Sequence, residues 1–416
     1  MPGTVQLVRT ALRLRRDQWR SHDAIARLQW QRLTALLTHA QATSAFWRKR
    51  FLALGVTADE IRTAADLACL PTTTRADLRQ PDRLLAEGFA RDRLKTAMTS
   101  GSTGSRTVSY FDRDAWIVGK YLLKLRARLT CGMRPTDRVA LFQVADPDRR
   151  TARFAARARS FSIHVPPEEI VGEVAAFAPD VMYGFPGHLL RLGVAAAGRL
   201  RPRLVFTSGE LLDPATRRRI EALLACRVLD VYGSTETKEV AWECPAGAGY
   251  HLNADWLLVE IAPPNNRILV TSLYNRAMPL IRFELGDTGE LLDGRCPCGR
   301  GLPLMRPTWG RNVDYFVLAG GVPITPYDLT CAIEHLPGMA RYQIVQQARD
   351  RIEVLVQPGP GYQPGLAAAI QAALRPVLRG LTPSVRVVDR LEHERSGKFR
   401  IVRSELADRV VLPADA

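Results

Sequence analysis

The sequence predicts an α/β protein with a large N-terminal domain of layered α/β sheets and a small α+β C-terminal domain. Three observations carry this. Short apolar runs, "DRVALFQV", "PRLVFTSG" and "CRVLDVYG", alternate with helical patterns, "PGHLLRLGVAAAGRL" and "PATRRRIEALLA". Strand and helix in alternation build an open sheet that binds ligands at its strand C-terminal ends. From "HLNADWLLVEIAPPNNRILVTSLY" onward the pattern becomes β alternation, and "PPNN" supplies the turn of a hairpin. Beyond about residue 312, "DYFVLAGGVPITPYDLTCAIEHL", "RYQIVQQARDRIEVLVQ" and "SVRVVDRLE" read as a separate α+β unit. A chain of 416 residues exceeds the usual size of one core. The expected domains are therefore 1–311, with a helical opening segment 1–70, and 312–416.

Taken in order, "MPGTVQLVRTALRLRRDQWR" is basic, and arginines interrupt its apolar positions. It lacks the unbroken apolar core of a secretory signal, and an amphipathic helix docked on the body fits it better. "DAIARLQWQRLTALLTHAQATSAFWRKRFLALG" has apolar residues at helical spacing and closes on Gly55. In "LPTTTRADLR" Pro71 breaks the pattern, and the threonines offer an N-cap before Arg75 to Leu78. Nowhere do 18 consecutive apolar residues occur, so no stable membrane insertion is expected.

The net charge of +16 raises nucleic acid as a partner, but it is carried almost wholly by arginine spread along the chain. Lysine stands only at Lys49, Lys95, Lys120, Lys124, Lys238 and Lys398. Without a finger, RNP or basic-zipper pattern, an even spread reads as a general pull on anions and no nucleic-acid partner is expected. Seven cysteines without a signal segment point to a reducing, cytoplasmic setting.

The stretch "TSGSTGSRTVSY" carries Thr99, Ser100, Gly101, Ser102, Thr103 and Gly104. Glycines that allow positive φ, beside hydroxyls and open backbone N–H groups, can cradle an anion, although such a stretch is equally a surface loop. Three strand ends then present Tyr183-Gly184-Phe185-Pro186, Ser208-Gly209-Glu210 and Tyr232-Gly233-Ser234-Thr235-Glu236. After these come "IRFELGDTGEL" with Arg282 and Asp287, "WGRNVDYF" with Arg311 and Asp314, and "ERSGKFRIV" with Lys398.

In this order and at these separations the motifs resemble those of the adenylate-forming superfamily of acyl-CoA synthetases, adenylation domains and luciferases. "LPTTTRADLR", "TAMTSGSTGSRTVSYFD" and "SLYNRAMPLIRFELGD" are most similar to its phenylacetate-CoA ligase branch, and the likeness runs over roughly residues 70 to 403. The resemblance implies that Thr99 to Gly104 wrap the β and γ phosphates of ATP and that Glu236 holds Mg²⁺. It implies that Tyr232, flanked by Gly233 and Thr235, stacks on adenine. Ser208, Gly209 and Glu210 would line the base, and Asp287 with Arg311 would take the ribose. Lys398 would reach the α-phosphate and the substrate carboxylate. Tyr183, Gly184, Phe185 and Pro186 would line an acyl pocket, whose aromatic wall favours a flat apolar acid. Residues 311–316 would be a hinge, and Gly320 and Gly321 would admit a pantetheine arm.

Cys244 and His251 in "CPAGAGYH", with Cys296 and Cys298 in "CPCG", have the donor set of a closed structural Zn²⁺ site. Buried or surface thiols are the competing account. The reaction expected is ATP-dependent activation of a carboxylic acid, aromatic by its pocket, as an acyl-adenylate with release of pyrophosphate, followed by transfer to coenzyme A. Two alternatives keep the first step and transfer to an amine or to a carrier-protein thiol. A non-catalytic nucleotide-binding or scaffold member is the alternative of another class, against which Glu236, Asp287 and Lys398 all stand.

Overall fold

The structure, a computed structural model, describes residues 4–98, 107–143, 157–163, 165–210, 212, 214–263, 266–308, 316–319, 323–324, 326–333, 336–359, 361–391 and 401–406. Its described residues divide into two compact units. One joins 4–98, 107–133 and 229–308, and the other joins those between 134 and 228 to those between 316 and 406.

In the first unit, helices Thr4–Asp17, His22–Thr43, Ala45–Leu54 and Ala64–Cys69 follow the periodicity of the opening segment. Ser21 accepts the Ala24 N–H and starts the second helix. Gly55 ends the third at φ +67°, a left-handed conformation natural to glycine. Leu33, Leu37, Trp47 and Phe51 form one buried cluster with Leu273 and Ile281, from the connection between two strands of the sheet, and the Trp47 indole donates to the Pro279 carbonyl at 2.9 Å. The N-terminal helix docks as expected: Leu14 is buried, and Thr130 and Arg300 both donate to the Gln18 side chain just beyond its end.

That unit's strands run in the spatial order Leu257–Ala262, Arg267–Ser272, Phe283–Leu292, Leu304–Thr308, Tyr250–Leu252, Lys238–Glu243, Val228–Ser234, every pair antiparallel. The expected hairpin is present, with Ala262 opposite Arg267. One expectation is corrected at "TTTRADLR". No full helix follows the threonines; Asp77–Arg79 is a single 3₁₀ turn, Thr74 donates to the Asp77 carboxylate, and Thr73 instead bridges to Phe283. The backbone of Thr73 exchanges two bonds with Arg282 and Glu284, so sheet pairing takes the hydroxyl residue that local capping would otherwise use.

The second unit holds a parallel sheet in the order Ala158–Ser162, Val139–Gln143, Val181–Gly184, Leu204–Ser208. Helices Pro167–Phe177, Pro186–Ala196 and Pro214–Leu224 accompany it, and Phe142, Met182, Leu189, Val205 and Leu224 share one core. This is the βαβ alternation read from the sequence. Its later residues form a second sheet, Ser384–Val387, Arg351–Pro358, Met339–Ala348, Val402–Ser404, with helices Pro326–Ile333 and Leu366–Val377. They have their own core, in which Leu329, Ile344, Val354 and Ile370 meet. Among the described residues no helix is long and apolar enough to cross a membrane.

His188 is 1% exposed and lies tilted against Phe142 with ring centroids 5.1 Å apart, and neither ring nitrogen has a partner among the described residues. Burial, with the nearby Arg191 charge, pushes its pKa down to about 3 against the opposing Asp328. A base whose folded pKa lies below its unfolded value leaves the unfolded chain holding more protons between the two. Stability is therefore level above about pH 6.5 and falls as pH drops toward 3, by up to about 1.4 kcal/mol per pH unit. Urea midpoints between pH 7 and 4 check this: His188→Phe is expected to be less acid-sensitive than the native chain, and equal slopes would refute it.

Candidate active site

Strand Val228–Ser234 turns through Thr235–Thr237 into strand Lys238–Glu243, with a bulge between Tyr232 and Gly233. Ser234 Oγ accepts the Thr237 N–H at 3.0 Å and holds the turn closed. Gly233 is required here, because a Cβ would come within 2.4 Å of the Lys238 carbonyl oxygen. Glu236, 2% exposed at the turn, has a carboxylate oxygen, Oε1, without a partner among the described residues. An unpaired buried carboxylate oxygen is costly alone and is the donor a hard divalent cation takes. Tyr232 is buried, and its hydroxyl donates to Asp287 Oδ2 at 3.0 Å. The turn thus brings Glu236, Tyr232 and Asp287 into one constellation across 55 residues of sequence.

In the second unit the other two strand ends also meet. Gly209, at φ +87°, lies against the Phe185 ring, where a Cβ would come within 2.6 Å of Cε1. Glu210 Oε2 accepts the Gly187 N–H at 3.0 Å in the first turn of helix Pro186–Ala196, which begins with Pro186 at its first position. Tyr183 and Gly184 end the strand that feeds this turn, and Gly184 leaves room for Phe142. Ser208, Gly209, Glu210 and the Tyr183–Pro186 segment are therefore one local assembly. Thr99 to Gly104, Arg311, Asp314, Gly320, Gly321 and Lys398 lie outside the described residues.

The four metal-type donors converge. Cys244 directly follows strand Lys238–Glu243, His251 lies within strand Tyr250–Leu252, and Cys296 and Cys298 lie between strands Phe283–Leu292 and Leu304–Thr308. Cys244 Sγ is 3.5 Å from Cys296 Sγ, Cys298 Sγ is 3.4 Å from His251 Nε2, and all four donor atoms lie within 4.8 Å of one another. A tetrahedron of Zn–S bonds of about 2.3 Å has edges of about 3.8 Å, so the spacing fits zinc. Burial first, and then the neighbouring thiols, push the Cys296 thiol up to about 12.

No family model matches the chain. It is similar to the phenylacetate-coenzyme A ligase of Escherichia coli (strain K12), 29% identical over 80% of this chain and 82% of the relative. A second relative, the phenylacetate-coenzyme A ligase of Aromatoleum evansii, is 26% identical over 90% of this chain and 92% of its own. The fold matches that of 2-hydroxyisobutyryl-CoA ligase, solved with 2-HIB-AMP and CoA, at a TM-score of 0.67 and 20% identity, covering 94% and 92% of the two chains. The chain is thus similar in sequence to phenylacetate-CoA ligases and has the fold of an acyl-CoA ligase.

Three features of the chain escape the sequence reading. Arg282 stands beside "GDTG" in sequence, yet its guanidinium donates to Glu260 at 3.1 Å, to the Ala68 carbonyl at 2.7 Å and to the Leu70 carbonyl, tying the opening segment to the sheet. Lys238 adopts φ +61°, donates to the Thr235 carbonyl at 2.7 Å and lies over the Phe111 ring at 4.4 Å. Burial, with Lys124 and Lys120 nearby, pushes its ammonium down to about 7. Its one sequence signal is lysine kept in an arginine-rich chain.

The third is Arg126, which makes a fully buried fork onto Asp255 at 2.7 and 2.9 Å and also bonds Asn253. Removing one partner leaves the other charge uncompensated. Asp255→Ala is accordingly expected to destabilise the fold by about 3–5 kcal/mol in urea titration, and a loss below 1 kcal/mol would contradict the pairing.

Proposed function

We propose that the chain is an AMP-forming acid–CoA ligase acting on an aromatic carboxylic acid. The observation that carries this reading is the buried Glu236 carboxylate with its unpartnered oxygen, one turn from the Tyr232–Asp287 pair. An acid carboxylate attacks the α-phosphorus of ATP, a P–O bond forms and pyrophosphate leaves. The thiolate of coenzyme A then attacks the acyl carbonyl and AMP leaves. Both steps are limited by charge and alignment, so the protein's task is to position and neutralise.

In this reading the Thr99–Gly104 loop cradles the β and γ phosphates, and Ser208, Gly209 and Glu210 line the base. Tyr232 packs at the base, and Asp287 with Arg311 takes the ribose. Glu236 is the group that would hold Mg²⁺, whose chemistry when bound is to neutralise phosphate charge. Tyr183, Gly184, Phe185 and Pro186 line the acid. Residues 312–416 act as the small domain that carries Lys398 to the reacting atoms. Cys244, His251, Cys296 and Cys298 would hold a structural Zn²⁺; all four positions are filled by protein, which leaves no site for a reacting water.

The test is pyrophosphate release from ATP over a panel of aryl, aliphatic and amino acids, with and without coenzyme A, products followed by mass. An aryl-CoA product supports the proposal. Acid-dependent release that ends at the adenylate would move the acceptor to an amine or a carrier-protein thiol, and no release with any acid would overturn it.

A further inference from the structure

Within the second unit two hydrophobic cores stand apart: one around Phe142, Met182 and Leu189, the other around Leu329, Ile344 and Ile370. A buried ion pair joins them. Arg191, on the helix that starts at the acid-lining segment, donates from Nη1 and Nη2 to the two Asp328 carboxylate oxygens at 2.5 and 2.8 Å, across 137 residues of sequence. Their side chains are only 15% and 7% exposed. Each end is anchored in its own core, Arg191 between Leu190 and Leu192, and Asp328 beside Leu329.

The Arg191 end also communicates with the nucleotide-type loop. Glu210 takes the Gly187 N–H one turn earlier on the same helix, and both Glu210 and Glu168 add their charge to the field at Arg191. His188, buried beside the pair with both nitrogens unpartnered, takes no hydrogen bond from either member. A planar guanidinium fork on a carboxylate fixes orientation as well as distance, which a lysine ammonium would not.

We propose that Arg191 and Asp328 are positioning residues that hold the C-terminal core in register with the acid-lining helix, and so set the balance between adenylate formation and acyl transfer. This rests on the ligase reading above. Neither residue need touch substrate; the pair acts through the helix and the core it joins.

Arg191→Ala, Asp328→Ala and the exchange Arg191→Asp with Asp328→Arg test it. Two half-reactions are followed with phenylacetate as the probe acid: acyl-adenylate trapped by hydroxylamine without coenzyme A, and acyl-CoA formed with it. The expected result is a change of at least tenfold in the ratio of the two rates in each single variant, with the exchange restoring most of it. A purely structural pair would lower both rates together, so a ratio within twofold of native overturns the proposal. Amide hydrogen exchange needs no substrate and covers variants that fold poorly or an acid that is not accepted. Helices Pro186–Ala196 and Pro326–Ile333 are expected to lose protection together, at least tenfold, in the single variants and to regain it in the exchange. Independent or unchanged protection overturns the proposal, whereas a native chain that forms no adenylate from any acid overturns the ligase reading alone.

Discussion

Lys398→Ala is expected to slow acyl-adenylate formation by about 10²–10³-fold while leaving ATP affinity within a few-fold and the melting temperature unchanged. Negative charge gathers between the substrate carboxylate and the α-phosphate as the new P–O bond forms. In the proposed reaction a single ammonium reaching both oxygens would stabilise that transition state more than either ground state. The chain has only six lysines among 58 basic residues, and one of them stands in "ERSGKFRIV". A compact ammonium fits between two oxygens where a guanidinium fork does not, so Lys398→Arg is expected to rescue little. Hydroxamate trapping in single-turnover conditions measures the step, and native rates in the alanine variant would remove Lys398 from the chemistry.

Loss of the Cys/His cluster is expected to have the second largest effect. Protein purified without chelator should carry about one zinc per chain, and Cys296→Ser should carry none and be destabilised by about 3 kcal/mol or more. Cys244, His251, Cys296 and Cys298 come from two neighbouring strand segments and a connecting segment, which strand pairing also ties together. Buried thiols pushed up in pKa by desolvation, as Cys296 is, deprotonate on meeting a cation. Plasma emission spectrometry and thermal unfolding with and without chelator check both arms. Metal-free protein that melts as the native chain does would overturn the site.

How far the sequence could be read depends on the range of each interaction. The helices of the opening segment, the βαβ alternation and the "PPNN" hairpin follow from periodicity and turn chemistry, which act over a few residues. The strand-tip position of Glu236 was legible for the same reason, since "VYGSTET" is a strand, a bulge and a turn in seven residues. At "TTTRADLR" the local rule loses, because Thr73 finds a sheet partner more than 200 residues away. Arg282 gives a second case: its neighbour in sequence is "GDTG", but its partners are Glu260, Ala68 and Leu70.

By itself, then, the sequence determined the α/β class, the order of elements and the candidate residues at each strand end, because those depend on hydrophobic period, caps and turns. Only the tertiary structure decided which of them meet. Tyr232 reaches Asp287, Gly209 takes the Phe185 ring, and four zinc-type donors close within 4.8 Å. It also decided the pairs that no local pattern announces, Arg126 with Asp255 and Arg191 with Asp328, separated by 129 and 137 residues. A buried charge must find an opposite charge wherever the packed chain brings one, and arginines this numerous and this evenly spread do not say in advance which will be buried.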